Sequence, residues 1–256
     1  MLDMIVHELP DFETIQLYSI SDVHVGERSL DKQYFKNFIT MLANTPNAYC
    51  VLAGDLLNNA IVSSVSNTYE EDMSPSEAKK WLREELIPIK HKILAVVAGN
   101  HEYRSKKATD TDLIEDVCDY LGITQLYRPI EAFVKISFGR QSRGTRQIYG
   151  IYVTHGCGGG KRPGAMVNNI EMLSMNVMAD LYITGHYHKK VAFKHNYRHS
   201  DLYHNTISER ERLFVVASHW SSYFGGYASQ KMLQPSAKGS VPITLYAKTK
   251  RMEATI

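Results

Sequence analysis

Cysteine is scarce in this chain. Only Cys50, Cys118 and Cys157 occur among 256 residues, widely spaced and without a Cys-x-x-Cys pair. That excludes a disulfide framework and a cysteine zinc knuckle, and a reducing, cytoplasmic setting is expected. No run approaches the roughly 18 uninterrupted apolar residues of a membrane helix, so no membrane partner is expected. The stretch from Met1 to Phe12 carries Asp3, His7, Glu8, Pro10 and Asp11. It has neither a basic start nor an apolar core, and a secretory signal is not expected there. Neither sign of charge dominates: 29 Lys+Arg stand against 27 Asp+Glu, a net +2. A broad basic footprint for nucleic acid is therefore missing, and only a local patch could supply one. There is no internal repeat, no low-complexity block and no linker long enough to divide the chain. A single domain over 1–256 is expected, with roughly 70% of the unfolded surface buried.

Histidine, by contrast, is abundant: 11 residues, more than the 8 phenylalanines. Their placement follows the apolar pattern. Strands are expected at Thr14–Ile20, Ala48–Ala53, Ile93–Ala98, Ala132–Phe138, Gln147–Thr154 and Leu181–Thr184, each a short β-prone run bounded by polar or glycine-bearing segments. Helices are expected at Asp31–Leu42, at Ser74–Lys92 (ended or kinked by Pro88), at Thr109–Leu121 before Gly122, and at Ala165–Ala179. The last carries Met166, Met172, Met175 and Met178, read as core filler. From Val191 onward the pattern reads as antiparallel strands at Ala192–Tyr197, Leu202–Ile207, Leu213–Ser218 and Ile243–Lys248.

Five of the strands end in polar or glycine-bearing loops. In order these hold Asp22-Val23-His24, Gly54-Asp55, Gly99-Asn100-His101-Glu102, His155, and Gly185-His186-Tyr187-His188. Ligands of open α/β sheets bind outside the carboxyl ends of the strands, so these residues are expected to converge. The donors are oxygen and imidazole with no thiolate, which suits Mn, Fe, Zn or Ni. In extended chain, residues two apart share a face, so Asp22 with His24, and His186 with His188, are expected to aim at one point. Each motif alone is as well explained by a turn or a helix cap. Two imidazoles on one face after a buried strand are harder to explain without a partner, and five motifs in one order are harder still.

The series D-x-H, G-D-x-x-N, G-N-H-E, H-G and G-H-x-H resembles the calcineurin-like metallophosphoesterase family, from Thr14 to Lys189. That family includes phosphoprotein phosphatases, purple acid phosphatases, cyclic-nucleotide phosphodiesterases and the double-strand-break repair nucleases. The resemblance implies an α/β fold, a four-layer α/β/β/α sandwich of two mixed sheets flanked by helices, with strands of about 190–256 completing the second sheet. It also implies a dinuclear centre. Asp22, His24, Asp55 and His188 would hold one ion and Asp55, Asn100, His155 and His186 the other, with Asp55 bridging. Two divalent transition-metal ions are implied, manganese first, with iron, zinc or nickel as alternatives. The nucleophile would be a metal-bridging hydroxide acting on a phosphate ester. His101, with its neighbour Asn100 in the catalytic set, would act on the leaving oxygen without binding metal. Dimers among relatives make a homodimer an expectation.

One position departs from the protein phosphatases, where the third residue after the Asp of G-D is another Asp that pairs with the catalytic histidine. Here it is Asn58, whose amide is expected to orient His101 but to stabilise imidazolium less. G-D-L-L-N is closer to the repair nucleases, whereas G-N-H-E is the phosphatase form. The expected activity is that of a phosphodiesterase or nuclease on a nucleotide or nucleic acid. The alternatives are a phosphomonoesterase or protein phosphatase, and a catalytically inert metal-bearing scaffold. Substrate contacts are expected from Arg104, from Gly158, Lys161 and Arg162 in a glycine-rich loop after His155, and from His219. Trp220, Tyr223 and Phe224 follow His219 and form either a base-stacking cluster or core. Tyr187 is expected to point away from the metals. His195, His199 and His204 are expected to cluster with Arg198 on a hairpin.

Overall fold

Continuous apolar runs become central strands here because both of their faces are covered. A computed structural model describes residues 3–61, 64, 68–140, 144–159, 163–223 and 234–256. In chain order its principal elements are β1 (Ile5–Glu8), β2 (Thr14–Ile20), α1 (Lys32–Asn44), β3 (Ala48–Ala53), α2 (Pro75–Leu86), β4 (Ile93–Val97), α3 (Asn100–Thr109), α4 (Leu113–Leu121), β5 (Tyr127–Arg128), β6 (Glu131–Phe138), β7 (Gln147–Thr154), α5 (Pro163–Glu171), α6 (Leu173–Asn176), β8 (Leu181–Thr184), β9 (Val191–Asp201), β10 (Thr206–Val216), β11 (Pro242–Tyr246) and β12 (Met252–Ala254).

Two six-stranded sheets form. The first runs β12-β11-β2-β3-β4-β5 and the second β1-β6-β7-β8-β10-β9. Strands β2 to β5 are mutually parallel, while β11 and β12 add antiparallel. In the second sheet β7, β8 and β10 are parallel neighbours, and β6 and β9 pair antiparallel with β7 and β10. Both sheets are thus mixed.

Alternation along the strands separates the layers. Ile151, Val153, Leu181, Ile183, Leu213 and Val215 face the first sheet in one shared core. Their neighbours Tyr152, Tyr182, Phe214 and Val216 face the other way and pack under Met166 and Ile170 of α5. On the far side of the first sheet, α1 buries Phe35, Ile39 and Leu42, α2 buries Ala78, Leu82 and Leu86, and α4 buries Ile114, Val117 and Leu121. The order of layers is helices, sheet, sheet, helices, as the resemblance implies. Among the described residues no helix is long and apolar enough to cross a membrane.

Four expectations need correction. The segment after Gly99 is a helix, α3, and Thr109 ends it rather than opening the next one. Of its ten residues only Glu102 is buried, so it lacks the apolar stripe that signals a helix. The methionine helix breaks into α5 and α6, and only Met166 is core; Met172, Met175 and Met178 are exposed. Leu202–Ile207 is not a strand but the turn and first residues of β10, and β9 and β10 form one hairpin of eleven residues a side. The last strands do not complete the second sheet. Ile243 and Leu245 of β11 are buried beside β2, so β11 and β12 extend the first sheet instead.

Candidate metal centre

The loops after β2, β3, β4, β7 and β8 meet at one edge of the sandwich, drawing from both sheets. Asp22, His24, Asp55 and His155 are all buried there. Asp22 Oδ1 lies 3.1 Å from His188 Nε2, and His24 Nε2 lies 3.2 Å from the same His188 nitrogen. Asp55 Oδ2 lies 3.2 Å from His155 Nε2. Asn100 Oδ1 stands 3.1 Å from His155 Nε2 and 3.0 Å from His186 Nδ1. Three overlapping groups are close enough to hold an ion: Asp22, His24 and His188; Asp55, His155 and His186; and His24, Asp55 and His101.

The backbone reaches these positions by a route that strand alternation does not describe. Asp22, His24, Asp55, His186 and His188 all lie in the left-handed region, with φ between 50° and 73°. Left-handed conformations of residues other than glycine are uncommon and recur at functional sites. The D-x-H and H-x-H pairs are therefore not extended. Asp22 and His24 nevertheless meet at the same His188, as expected, whereas His186 parts from His188 and meets Asn100. Two glycines permit the crowding. A Cβ on Gly99 would stand 2.1 Å from Asp55 Oδ1, and one on Gly185 1.9 Å from Ser21 Oγ.

Hydrogen bonds orient the donors. Ser21 Oγ donates to Asp22 Oδ2 at 2.6 Å, and the His186 amide donates to the same carboxylate at 3.0 Å. His155 Nδ1 donates to the Ala53 carbonyl at 2.8 Å, turning Nε2 toward Asp55. His186 Nε2 donates to the Gly158 carbonyl at 2.8 Å, turning Nδ1 toward Asn100. This is the usual outer support of a metal-ligating imidazole. Glu102, which the motif contains but sequence reasoning left without a role, is buried and accepts the amides of Gly99 (2.8 Å), Leu57 (2.9 Å) and Asp55 (3.1 Å). It ties the loop after β3 to the loop after β4. The signal was its place three residues after Gly99, the reciprocal position of a helix cap.

The donors fit divalent cations. Nitrogen–oxygen separations of 3.0–3.2 Å match the edges of a coordination shell with bonds of about 2.1 Å. His24 and His188 bring two imidazole nitrogens face to face, and the other ring nitrogen of His24 is buried without a partner. The local field has the same sense. Burial works against charge on both sides, yet His188 outweighs it and holds the Asp22 carboxyl at about 2. Likewise Asp55 outweighs burial and lifts His155 to about 10. His24, deeper and next to His101, is instead pushed well below its ordinary value.

His101 sits beside this cluster. Its Nε2 is 3.7 Å from Asp55 Oδ2, and its amide donates to Asp55 Oδ1 at 2.9 Å. Burial lowers its pKa, with Asp55 opposing and Arg104 assisting. Its Nδ1 donates to the backbone carbonyl of Asn58 at 2.8 Å. This corrects the expected role of the Asn58 amide, which instead donates to Glu71 Oε1 at 2.6 Å. Arg104, half-buried one helical turn on, donates to the same Asn58 carbonyl at 3.3 Å.

The remaining candidates are scattered. His219 is buried and stacks on His188 with ring centres 5.6 Å apart; burial and then His188 lower its pKa to about 4. Trp220 is core: it packs against Phe35 and Phe38, and its indole nitrogen donates to the Ser21 carbonyl. Tyr187 points away from the donors, its hydroxyl donating to the Cys157 carbonyl. Gly158 turns its carbonyl toward His186, a different use from the amide expected to bind phosphate. Lys161, Arg162 and Phe224 lie outside the described residues. Arg198 does not join His195 and His199, because alternation puts it on the opposite ribbon face.

A calcineurin-like phosphoesterase profile matches residues 15–235. Among curated proteins none matches. Solved structures with a similar chain course include a predicted phosphoesterase from Streptococcus pneumoniae TIGR4 (11% identity, 95% of this chain and 99% of that one, TM-score 0.41). Others are Chaetomium thermophilum Vps29 (13% identity, 94% of each chain, TM-score 0.43) and Pseudomonas putida nuclease MPE (15% identity, 93% and 87%, TM-score 0.34).

Proposed function

The chain belongs to the calcineurin-like phosphoesterase family, and from that premise we propose that it is a dinuclear, metal-dependent phosphodiesterase acting on a nucleotide or nucleic acid. The observation that carries this reading is the convergence of seven oxygen and imidazole donors from five strand-end loops, with His101 Nε2 beside them. In this reading Asp22, His24 and His188 serve one ion, Asn100, His155 and His186 the other, and Asp55 both. Divalent ions held there supply Lewis-acid polarisation of a phosphoryl oxygen and acidify water. Manganese is the first choice for an oxygen and imidazole set.

The chain's own residues then have distinct tasks. The carbonyls of Ala53 and Gly158 fix which nitrogen His155 and His186 present. Asn58 occupies Nδ1 of His101, so His101 exchanges its proton with the leaving oxygen at Nε2. In this reading Arg104, which shares the Asn58 carbonyl with His101, meets a phosphoryl oxygen. Support for a diester comes from the likeness of G-D-L-L-N to the repair nucleases and, separately, from the Glu71 carboxyl behind Asn58. A singly charged diester meets less repulsion there than a doubly charged monoester.

A single domain is supported by the core that both sheets share. A cytoplasmic setting is supported by the three free thiols. The homodimer is checked by sedimentation. Two experiments test the enzyme itself. Elemental analysis of protein purified without chelator should find two transition-metal ions per chain; fewer than one would sink the reading. With manganese supplied, bis-p-nitrophenyl phosphate should be hydrolysed faster than the monoester. The opposite order would make the protein a phosphomonoesterase, and no hydrolysis of either would favour a scaffold.

A further inference from the structure

The β9–β10 hairpin projects past the rest of its sheet. Strand β8 pairs with Leu213–Val216 of β10, so among the described residues the stretch from Thr206 to Arg212 pairs with β9 alone. A two-stranded ribbon has two faces, and here they differ in charge. Phe193 stacks on Phe214, which stacks on Tyr182 beneath α5, and this marks one face. By alternation the same face carries His195, Tyr197 and His199 on β9, opposite Arg212, Arg210 and Ser208 on β10. The guanidinium carbon of Arg212 lies 3.9 Å over the Tyr197 ring. The other face carries acids among its bases: Lys194 binds Glu211 at 2.8 Å, and Arg198 stands opposite Glu209.

Among the described residues, acids pair with the first face at its two ends, and both are engaged. Glu171 binds His195 at 3.2 Å, and Asp201 caps the turn by accepting from the amides of Tyr203 and His204 and from the His204 ring. Between them Arg210 and Arg212 have no ion pair among the described residues. The stripe is thus two arginines about 7 Å apart, one stacked on a tyrosine, flanked by imidazoles. An uncompensated cationic stripe calls for an anionic partner. A second copy of this chain is disfavoured, since the free edge of β9 carries Lys194 and Arg198, which resist strand pairing.

We propose that this face, centred on Arg212, Tyr197 and Arg210, binds a nucleic acid outside the metal centre. Arginine planes both pair with phosphate and stack on bases, and an aromatic neighbour fixes their orientation. Arg212 and Arg210 lie about 14 and 20 Å along β10 from Val216, the partner of Thr184 at the strand end leading into His186. A mononucleotide at the metal centre does not reach them, whereas a polymer does. The proposal rests on the nucleotide reading only for the kind of polyanion.

The test measures anisotropy of a fluorescein-labelled oligothymidylate with phosphorothioate linkages, which resist hydrolysis. Replacing both arginines (Arg210→Ala with Arg212→Ala) should weaken binding about tenfold or more and reduce the salt slope by about 1.4. Replacing Lys194 and Arg198 on the opposite face should leave affinity within about twofold, since Glu211 binds Lys194 and Glu209 stands opposite Arg198. Hydrolysis of bis-p-nitrophenyl phosphate should be unchanged in both variants, which also reports that they are folded. Unchanged affinity in the arginine variant, equal loss in both variants, or tighter binding to polyglutamate than to the oligonucleotide would overturn the proposal. A wild-type protein that binds the oligonucleotide through these arginines yet hydrolyses no ester would uphold this surface and sink the enzymatic reading instead.

Discussion

His101 donates its Nδ1 hydrogen to the backbone carbonyl of Asn58 at 2.8 Å. A backbone carbonyl does not change when the side chain does. Asn58→Ala is therefore expected to lower turnover by less than about tenfold, the loss arising from Glu71 losing its partner. His101→Ala should lower it by about 10²–10⁴, the range for a proton-transfer group, while metal content persists. Steady-state kinetics beside elemental analysis decide. Equal losses of turnover in the two variants would return the orienting role to the amide, and loss of metal in His101→Ala would make His101 a ligand.

Glu102 is the tie between two ligand-bearing loops. Glu102→Ala strands the amides of Gly99, Asp55 and Leu57. At about 1–3 kcal/mol for each buried unpaired donor, a loss of about 3 kcal/mol or more is expected in urea unfolding. Glu102→Gln keeps one acceptor oxygen and should cost less. Ala and Gln variants as stable as the parent would show that water replaces the carboxylate freely.

The thiols should divide sharply by accessibility. Cys50 and Cys118 are buried, and burial raises both pKa values, that of Cys118 to about 12. Cys157 is exposed. At pH 8 a colorimetric disulfide reagent should titrate one thiol in the native protein and three in denaturant. Two or more rapidly reacting native thiols would contradict the packing.

Alkali should unfold the protein cooperatively. Burial raises the pKa of Tyr127, Tyr149, Tyr152 and Tyr182 above 10. Above pH 10 the unfolded chain releases these protons while the folded chain keeps them. Stability is thus whole below pH 10 and falls as pH rises, by up to roughly 1.4 kcal/mol per pH unit for each phenol. Tyr127, Tyr149 and Tyr152, the most strongly shifted, can together exhaust an ordinary stability of about 5–15 kcal/mol within about three pH units. Phenolate absorbance should rise in step with loss of far-ultraviolet dichroism. Smooth titration of all tyrosines before any unfolding would refute this.

The sequence exposed the parts of this fold that burial dictates. Thr14–Ile20, Ala48–Ala53, Gln147–Thr154 and Leu181–Thr184 are strands to the residue, because central strands must be apolar throughout. The donor residues were legible for a related reason, lying where those runs stop. Less legible was whatever depends on local conformation or on distant partners. No residue pattern announces left-handed backbone at Asp22 or His188. Helix α3 buries a carboxylate instead of an apolar stripe, and Met172, Met175 and Met178 have the composition of a core without its covering. The β9–β10 ribbon is mostly polar beyond Leu213, so the sequence shows a hairpin there but not its full length, which the pairing register reveals.

The division of donors between the sheets has a mechanical consequence. Asp22, His24, Asp55 and Asn100 stand on loops of the first sheet, His155, His186 and His188 on loops of the second. A divalent ion bound to either strand-end group is then a staple across the sandwich, joining layers otherwise held by non-directional apolar contact. Any agent that binds the native state alone stabilises it by RT ln(1 + [L]/Kd), about 2.7 kcal/mol at a hundredfold excess over Kd. The resistance of the two layers to sliding past each other is thereby set by the free-ion concentration around the protein, and its melting temperature becomes a gauge of metal supply.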